Sequence, residues 1–418
     1  MGRRTDTYAF FVYNEKRVQT QKIQIWGGYR RMRQFMKKHL LLLFVATVFP
    51  MFASADDSGS CGENLTWTYT EATNTLTISG TGDMYEGRPW EPYRMEIQTV
   101  IIEEGVTSIG KRTFYGCSGL TSLTIPNSVT FIGEEAFAES SLTTINLPSS
   151  VETIGHEAFR HCPSLATIIV DKDNKTFDSR DNCNAIIRTA DNELVLGCKT
   201  TVIPNTVISL GEAAFMGCDE MATIKIPNSV TTIRRTVFYD CKGLVSLTFP
   251  NSVTVIEGES VFRCPKLETI KIGSGLKTFD GRYNFNRCEN LKDFYIFAVE
   301  SPTIETGGRS LGMFNDTPIS SATLHVPVEL NWYYSNPYLR INSQQYTNPW
   351  SLFGNIVALT EEDIEEMNQA SDIKPIVNAS NAQVESVYTI GGQRINKAQR
   401  GLSIIHTKDG MTKKVVVK

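Results

Sequence analysis

His156 and His161 lie five residues apart with Glu157 between them, and two imidazoles beside a carboxylate are the raw material of a metal site or a proton relay. The spacing is not that of H-E-x-x-H, where both imidazoles share one helical face, so a solvated surface is the plainer account. The densest run of oxygen ligands is Asp171, Asp173, Asn174, Asp178, Asp181 and Asn182. Lys175 stands where a calcium loop needs a ligand, no glycine follows it and no glutamate closes the loop, so these residues read as polar turns. His39, His325 and His406 are scattered, and the chain has no G-x-S-x-G elbow, phosphate loop or evident pair of glycosidase carboxylates. No catalytic residue, metal or cofactor is expected, and the protein is not read as an enzyme.

Thiols are the other reactive groups. Of nine cysteines, Cys117, Cys162, Cys218, Cys241, Cys264 and Cys288 recur at one register, each three residues after a Phe or an equivalent position. Side chains at one register of a stacked repeat point the same way, and a free thiol behaves as a small buried hydrophobe, so these six are expected to be structural and unpaired. Cys183 and Cys198 flank a hairpin and form the best candidate pair for a disulfide. The spacings are those of the repeat and not of a zinc site.

The elements that carry these residues are set by periodicity. Phe114, Cys117 and Leu120 return as Phe159, Cys162 and Leu165, as Phe238, Cys241 and Leu244, and as Phe285, Cys288 and Leu291. Between them runs I-P-N-S-V-T, at Ile125 to Thr130 and Ile226 to Thr231, with variants at Leu147, Ile203 and Phe249. The prolines Pro126, Pro148, Pro204, Pro227 and Pro250 are 22, 56, 23 and 23 residues apart, so one interval holds an insertion. A period of 22 to 24 lies in the leucine-rich-repeat range of roughly 20 to 29 residues.

Within a unit, Leu123 and Ile125 alternate with Ser122 and Thr124, which predicts a short half-buried strand that Pro126 stops. Val129 and Ile132 form a second apolar phrase, and Gly133 turns the chain so that Ala136 and Phe137 pack inward. One unit cannot offset a backbone entropy of about 1 to 2 kcal/mol per residue, so units must stack. The expected fold is mostly β: a curved leucine-rich-repeat solenoid of about eight coils over 97–300, with a long insertion at about 166–200. An N-terminal β cap at 56–96 precedes it. An irregular, aromatic-rich cap at 301–360, including Trp332 to Phe353, follows it, since open ends of a stack need covering.

These phrases resemble the BspA-type leucine-rich repeat family of bacterial surface and secreted proteins. The likeness rests on the I-P-N-S-V-T-x-I-G and A-F-x-x-C phrases, the opening Cys61 to Trp67, Leu76 to Gly82, and the S-R-D-N-C-N-A-I-I phrase of the insertion. The resemblance implies an exported protein with an adhesion, host-protein-binding or carbohydrate-associated role.

Met36-Lys37-Lys38-His39, the apolar run Leu40 to Phe52 and then Ala53-Ser54-Ala55 have the order of a secretory signal peptide at 36–55 cleaved after Ala55. The run is 13 residues, short of the ~20 that span a bilayer. Residues 1–35 then read as an upstream extension of the gene start at Met36, with a long cationic leader as the alternative. At the other end, 361–383 reads as an acidic helix or linker and then a polar linker. The β-rich 384–418, with Gly391-Gly392-Gln393-Arg394 and Lys414 to Lys418, resembles the C-terminal sorting domains of Gram-negative secretion systems.

A net charge of −4 with 21 % charged residues and no basic stripe gives no reason to expect nucleic acid as a partner. The outward strand positions form two columns expected to line a concave face. One holds Ser122, Thr144, Thr223, Ser246 and Thr269, and the other Thr124, Asn146, Lys225, Thr248 and Lys271. Small hydroxyls with a few cations suit many weak hydrogen bonds to a host or matrix protein or a glycan, though Thr and Ser also simply favour exposed strands. The expectation is a secreted or cell-surface monomer, without a transmembrane helix in its mature chain, that recognises such a partner. A structural spacer and a non-catalytic accessory in glycan use are the alternatives.

Overall fold

The computed structural model describes residues 56–298, 300, 302–305, 312–341 and 344–370, and the strands Val384–Thr389, Arg394–Ile395, Gly401–Thr407 and Thr412–Val417. Side chains are described for these except at 305, 332, 339–341, 344–346, 370 and the four last strands. The segments expected to be a signal peptide at 36–55, its upstream extension and a linker at 371–383 lie outside the described residues.

Chain Asp57–Ser60, Gly62–Thr70 and Thr75–Met84 form an antiparallel meander whose alternation puts Leu65, Trp67, Tyr69, Leu76 and Ile78 inward. Its third strand starts both ladders of the solenoid. Thr75 to Ile78 pair in parallel with Thr99–Ile102, and Gly82 and Asp83 pair with Val106–Ile109. From there each coil contributes one strand to a front ladder and one to a second ladder. In front run Thr99–Ile102, Ser122–Thr124, Thr144–Leu147 and Thr167–Val170; beside them run Val106–Ile109, Phe131–Ile132 and Thr153–Ile154.

The third side of each coil is the A-F-x-x-C turn, which is not helical. The residue just before it is left-handed in coil after coil, at Arg112, Glu135, Glu157, Thr236 and Glu259, with φ from 50° to 57°. That conformation costs a side-chain-bearing residue energy, and turn-to-turn hydrogen bonds such as Phe114 N–H to Ala136 O at 2.7 Å and Phe137 N–H to Ala158 O at 2.8 Å hold it. The Phe rings stack from coil to coil at 5.2 to 5.3 Å, from Trp90 through Phe114 and Phe137 to Phe159. Gly133 is needed before this turn because a Cβ there would come 2.6 Å from the Lys111 backbone nitrogen of the previous coil.

The insertion builds a second meander, Phe177–Asp178, Ile186–Arg188 and Glu193–Leu196. Its last strand pairs in parallel with Ser209–Leu210 and restarts the second ladder, which continues through Thr232–Ile233, Val255–Ile256, Thr278–Asp280 and Thr303–Glu305. The hairpin is also a partition. Ile186, Leu196 and Cys198 pack into the core of the coils before it, whereas Cys183, Ile187 and Leu194 pack into the core of the coils after it.

The front ladder resumes at a bridge between Lys225 and Thr248 and runs through Ser246–Phe249, Thr269–Ile272, Asp293–Ile296, Thr323–Val326 and Asn355–Ala358. Parallel pairing therefore passes beyond residue 300, and the solenoid has about ten turns where the repeat phrases alone suggest eight. Trp350 and Phe353 are buried against Phe294 and Phe314 in edge-to-face contacts, with Tyr334 buried against Trp350, so these rings of the aromatic segment pack the end of the stack. Tyr338 is exposed. The strands after residue 384 form a separate antiparallel sheet in the order Arg394–Ile395, Val384–Thr389, Gly401–Thr407, Thr412–Val417. Among the described residues no helix is long and apolar enough to cross a membrane.

Candidate functional site

In the front ladder the even alternation sends Val100, Ile145, Leu247, Ile270 and Phe294 inward and leaves their neighbours on the outer face. Ser122, Thr124, Asn146, Thr223 and Lys225 are exposed there; Thr144, Ser246, Thr248, Thr269 and Lys271 are half-buried. The register aligns Ser246, Thr269, Asp293, Thr323 and Asn355 in one column and Thr248, Lys271, Tyr295, His325 and Val357 in the other.

The ten residues do not form one continuous surface. After Thr167–Val170 the inserted Asn184 reaches into the ladder: its side-chain carbonyl accepts the Ile168 N–H at 2.6 Å and its amide donates to Ala166 O at 2.7 Å. One side chain thus takes the place of the next strand, and Thr124, Asn146 and the exposed Ile169 stand on one stretch of face while Lys225 to His325 stand on another.

Sequence reasoning stopped the second column at Lys271 and missed its densest part. Tyr295 stacks on His325 at 4.0 Å, Lys271 Nζ lies 5.0 Å over the Tyr295 ring, and His325 Nε2 is 3.1 Å from Asp293 Oδ1. The signal was in the chain: D-F-Y-I at Asp293 to Ile296 and T-L-H-V at Thr323 to Val326 continue the alternation of T-I-K-I at Thr269 to Ile272. Burial first, and then Asp293, Asp363 and Glu366, push the Tyr295 phenol up to about 12. Lys271 also forms an ion pair of 2.7 Å with Glu366.

His156 and His161 sit instead on the turn side, in a cleft of about 660 Å³ where the insertion interrupts the stack. Gly197 N–H bonds Ala214 O at 2.8 Å and His161 N–H bonds Met216 O at 3.1 Å, so the coils before and after the insertion also meet there directly. His156 Nε2 is 3.2 Å from Glu212, and His161 Nδ1 is 3.7 Å from the buried Asp240. Burial holds His161 below its ordinary range despite Asp240, and raises Glu157 despite His156 and Arg160. Among the described residues no group of three or more such ligands is placed to hold a metal. Asp171 to Asn182 are spent on turns: Asp171 accepts the Asp173 N–H, Asp178 is bidentate to Arg180, and Asn174 makes four bonds to backbone, of 2.8 to 3.0 Å.

The nine cysteines are unbridged. Cys241 and Cys264 donate their S–H groups to the Phe215 and Phe238 carbonyls of the preceding coil at 3.1 Å, and Cys162 to Phe137 O at 3.4 Å. Burial raises the Cys117 and Cys241 thiols to about 12 and the Cys162 thiol to about 11. Cys218 is only half-buried, and Cys288 is buried like the rest. The expected partners Cys183 and Cys198 are both free thiols and pack into different cores, although Cys198 Sγ lies 3.6 Å from the backbone oxygen of Asn184, the residue after Cys183.

The family described as BspA type Leucine rich repeat region matches residues 93–189 and 195–306 in six copies, half of the chain. Similar solved structures include a leucine-rich repeat protein from Eubacterium ventriosum, 21% identical over 70% of this chain and 100% of that one, TM-score 0.41. A leucine-rich cell surface protein from Faecalibacterium prausnitzii is 25% identical over 66% and 63%, TM-score 0.43. The pneumococcal vaccine antigen PcpA is 17% identical over 72% and 98%, TM-score 0.42. No curated protein matches.

Proposed function

The chain belongs to the BspA-type leucine-rich repeat family, and on that scaffold we propose that it is an exported, non-enzymatic recognition protein of the cell surface that binds a host or matrix protein or a glycan through its front strand face. The observation that carries this reading is the contrast between two sides of the same coils. On the turn side charges are consumed locally: Arg160 alone contacts Glu135, Glu139 and Glu157 at 2.7 to 3.1 Å. On the strand face Thr124, Asn146 and Ile169 are presented to solvent on successive coils, with Ser122 beside Thr124 on its strand. Asparagine is disfavoured in strands and is not demanded here, whereas contact surfaces use such polar groups beside exposed apolar ones.

An array of matrix proteins and glycans, probed with the chain from Asp56 onward, tests this. Thr124→Arg with Asn146→Arg is expected to abolish binding if the N-terminal stretch is used, and Lys225→Glu with Lys271→Glu if the C-terminal stretch is used. Binding that survives both pairs, or no binding at all, defeats the reading. The ionisable cleft favours a second reading, a non-catalytic accessory in glycan use, because Tyr239 and carboxylates line a sugar-sized space. Tyr239→Ala would then abolish glycan signals that the strand-face pairs leave intact.

A further inference from the structure

The last strand of the front ladder, Asn355–Ala358, is followed within two residues by the helix Glu361–Ala370. Thr360 starts it with a reciprocal cap: Asp363 N–H donates to Thr360 Oγ1 at 3.1 Å, and the Thr360 N–H and hydroxyl donate to Asp363 at 2.8 and 2.6 Å. The helix carries Glu361, Glu362, Asp363, Glu365 and Glu366 and no basic residue. Ten residues of such charge do not hold a helix unaided in water, so docking must hold it. Met367 is 2 % exposed, and Glu366 reaches Lys271 at 2.7 Å. Asp363 and Glu366 also raise the Tyr295 phenol, and with the ion pair to Lys271 this brings the carboxylate face beside Lys271 and Tyr295, on whose ring His325 stacks.

The fit is incomplete. Asn368 is 7 % exposed, yet its Nδ2 has no acceptor among the described residues. Ile364, the other large apolar residue of the helix, remains exposed. The ion pair that ties the helix to Lys271 leaves Glu366 mostly in solvent, and an exposed pair of this kind holds a segment weakly.

We propose that the helix Glu361–Ala370 is a removable strap, and that the Lys271, Tyr295 and His325 patch beneath it is a docking site for an acidic amphipathic helix of a partner protein. This rests on the reading of the front face as a recognition surface and names the chemistry its C-terminal stretch selects. A cation over an aromatic ring receives a carboxylate, the neighbouring His325 being engaged by Asp293, and the strap shows the arrangement with the chain's own Glu366 in the partner's position. Because the strap competes intramolecularly, an external helix must displace it before binding.

A fluorescent peptide with the sequence of Leu359 to Ala370 would be titrated into the full chain and into two variants. Met367→Asp is expected to release the strap and tighten peptide binding by about tenfold or more, through loss of the intramolecular competitor. Glu366→Lys, at an exposed side chain that cannot unfold the core, is expected to tighten it by a smaller factor, and adding Lys271→Glu should cancel both gains. Hydrogen exchange would confirm that the released variants lose protection at 361–370 and keep it in the front ladder. No gain in either released variant, or a gain that survives Lys271→Glu, overturns the proposal. Peptide binding without any array ligand would defeat the host-recognition reading and leave the strap; array binding without peptide binding would do the reverse.

Discussion

The repeat cysteine shows how one side chain is selected by a stack. Its position faces the core and offers a carbonyl of the preceding coil, so a small buried thiol also supplies a weak donor. Burial raises these thiols, which makes them poor nucleophiles. Labelling by a thiol reagent should therefore be slow in the native protein. In denaturant without reductant, all nine cysteines should react; two fewer would mean that Cys183 and Cys198 are bridged after all. On the turn side, burial pushes the carboxyl of Glu135 up, but hydrogen bonds from Arg112 and Arg160 outweigh it and leave it below its ordinary range. A depressed carboxyl stabilises the fold above its unfolded pKa, near 4.3, and that contribution is lost as pH falls through the lower folded value. Glu135→Gln should cost about 1 to 3 kcal/mol in urea unfolding at neutral pH, with the difference from wild type shrinking under acid conditions.

The element that changes the molecule most is the inserted meander. Its two faces serve two cores, its last strand restarts one ladder, and its Asn184 closes the other with a side chain in place of a strand. Asn184 has φ 57°, a conformation asparagine tolerates better than most residues. Asn184→Ala should destabilise by about 1 to 3 kcal/mol, through unmet backbone groups and backbone strain together, and should raise the exchange rate of the Ile168 amide selectively. Equal exchange at Ile168 in both proteins would show that the ladder does not depend on this side chain.

At the scale of the whole solenoid the partition implies two cooperative units. Leu76 to Phe177 share one core with Ile186, Leu196 and Cys198, and Ile203 to Phe353 share the other with Cys183, Ile187 and Leu194. Stacked repeats are stabilised by neighbours, so damage should spread within a unit and stop at the hairpin. Phe137→Ala, which breaks the ring stack between Phe114 and Phe159, should cost about 3 to 5 kcal/mol. Hydrogen exchange should show the loss in the coils before residue 170 and little change in those after 230. A uniform loss along the chain would mean that the hairpin couples the cores instead of separating them.

The repeat itself was legible in the sequence because it is local and periodic: alternation at two residues, prolines at strand ends and a return every 22 to 24 residues determine which side chains face inward whatever the rest of the chain does. The outward columns followed from the same alternation. Three things were not read from it. Lys271 is held by Glu366, Cys183 and Cys198 are separated by a two-faced hairpin, and Tyr295 and His325 extend a column past the last clear repeat phrase. The first two depend on contacts between segments far apart in the chain, which no period encodes; the third was carried by the alternation of D-F-Y-I and T-L-H-V, beyond the last repeat phrase. Only the packed tertiary structure brings the acidic helix to the face it covers, and so decides which part of that face is open.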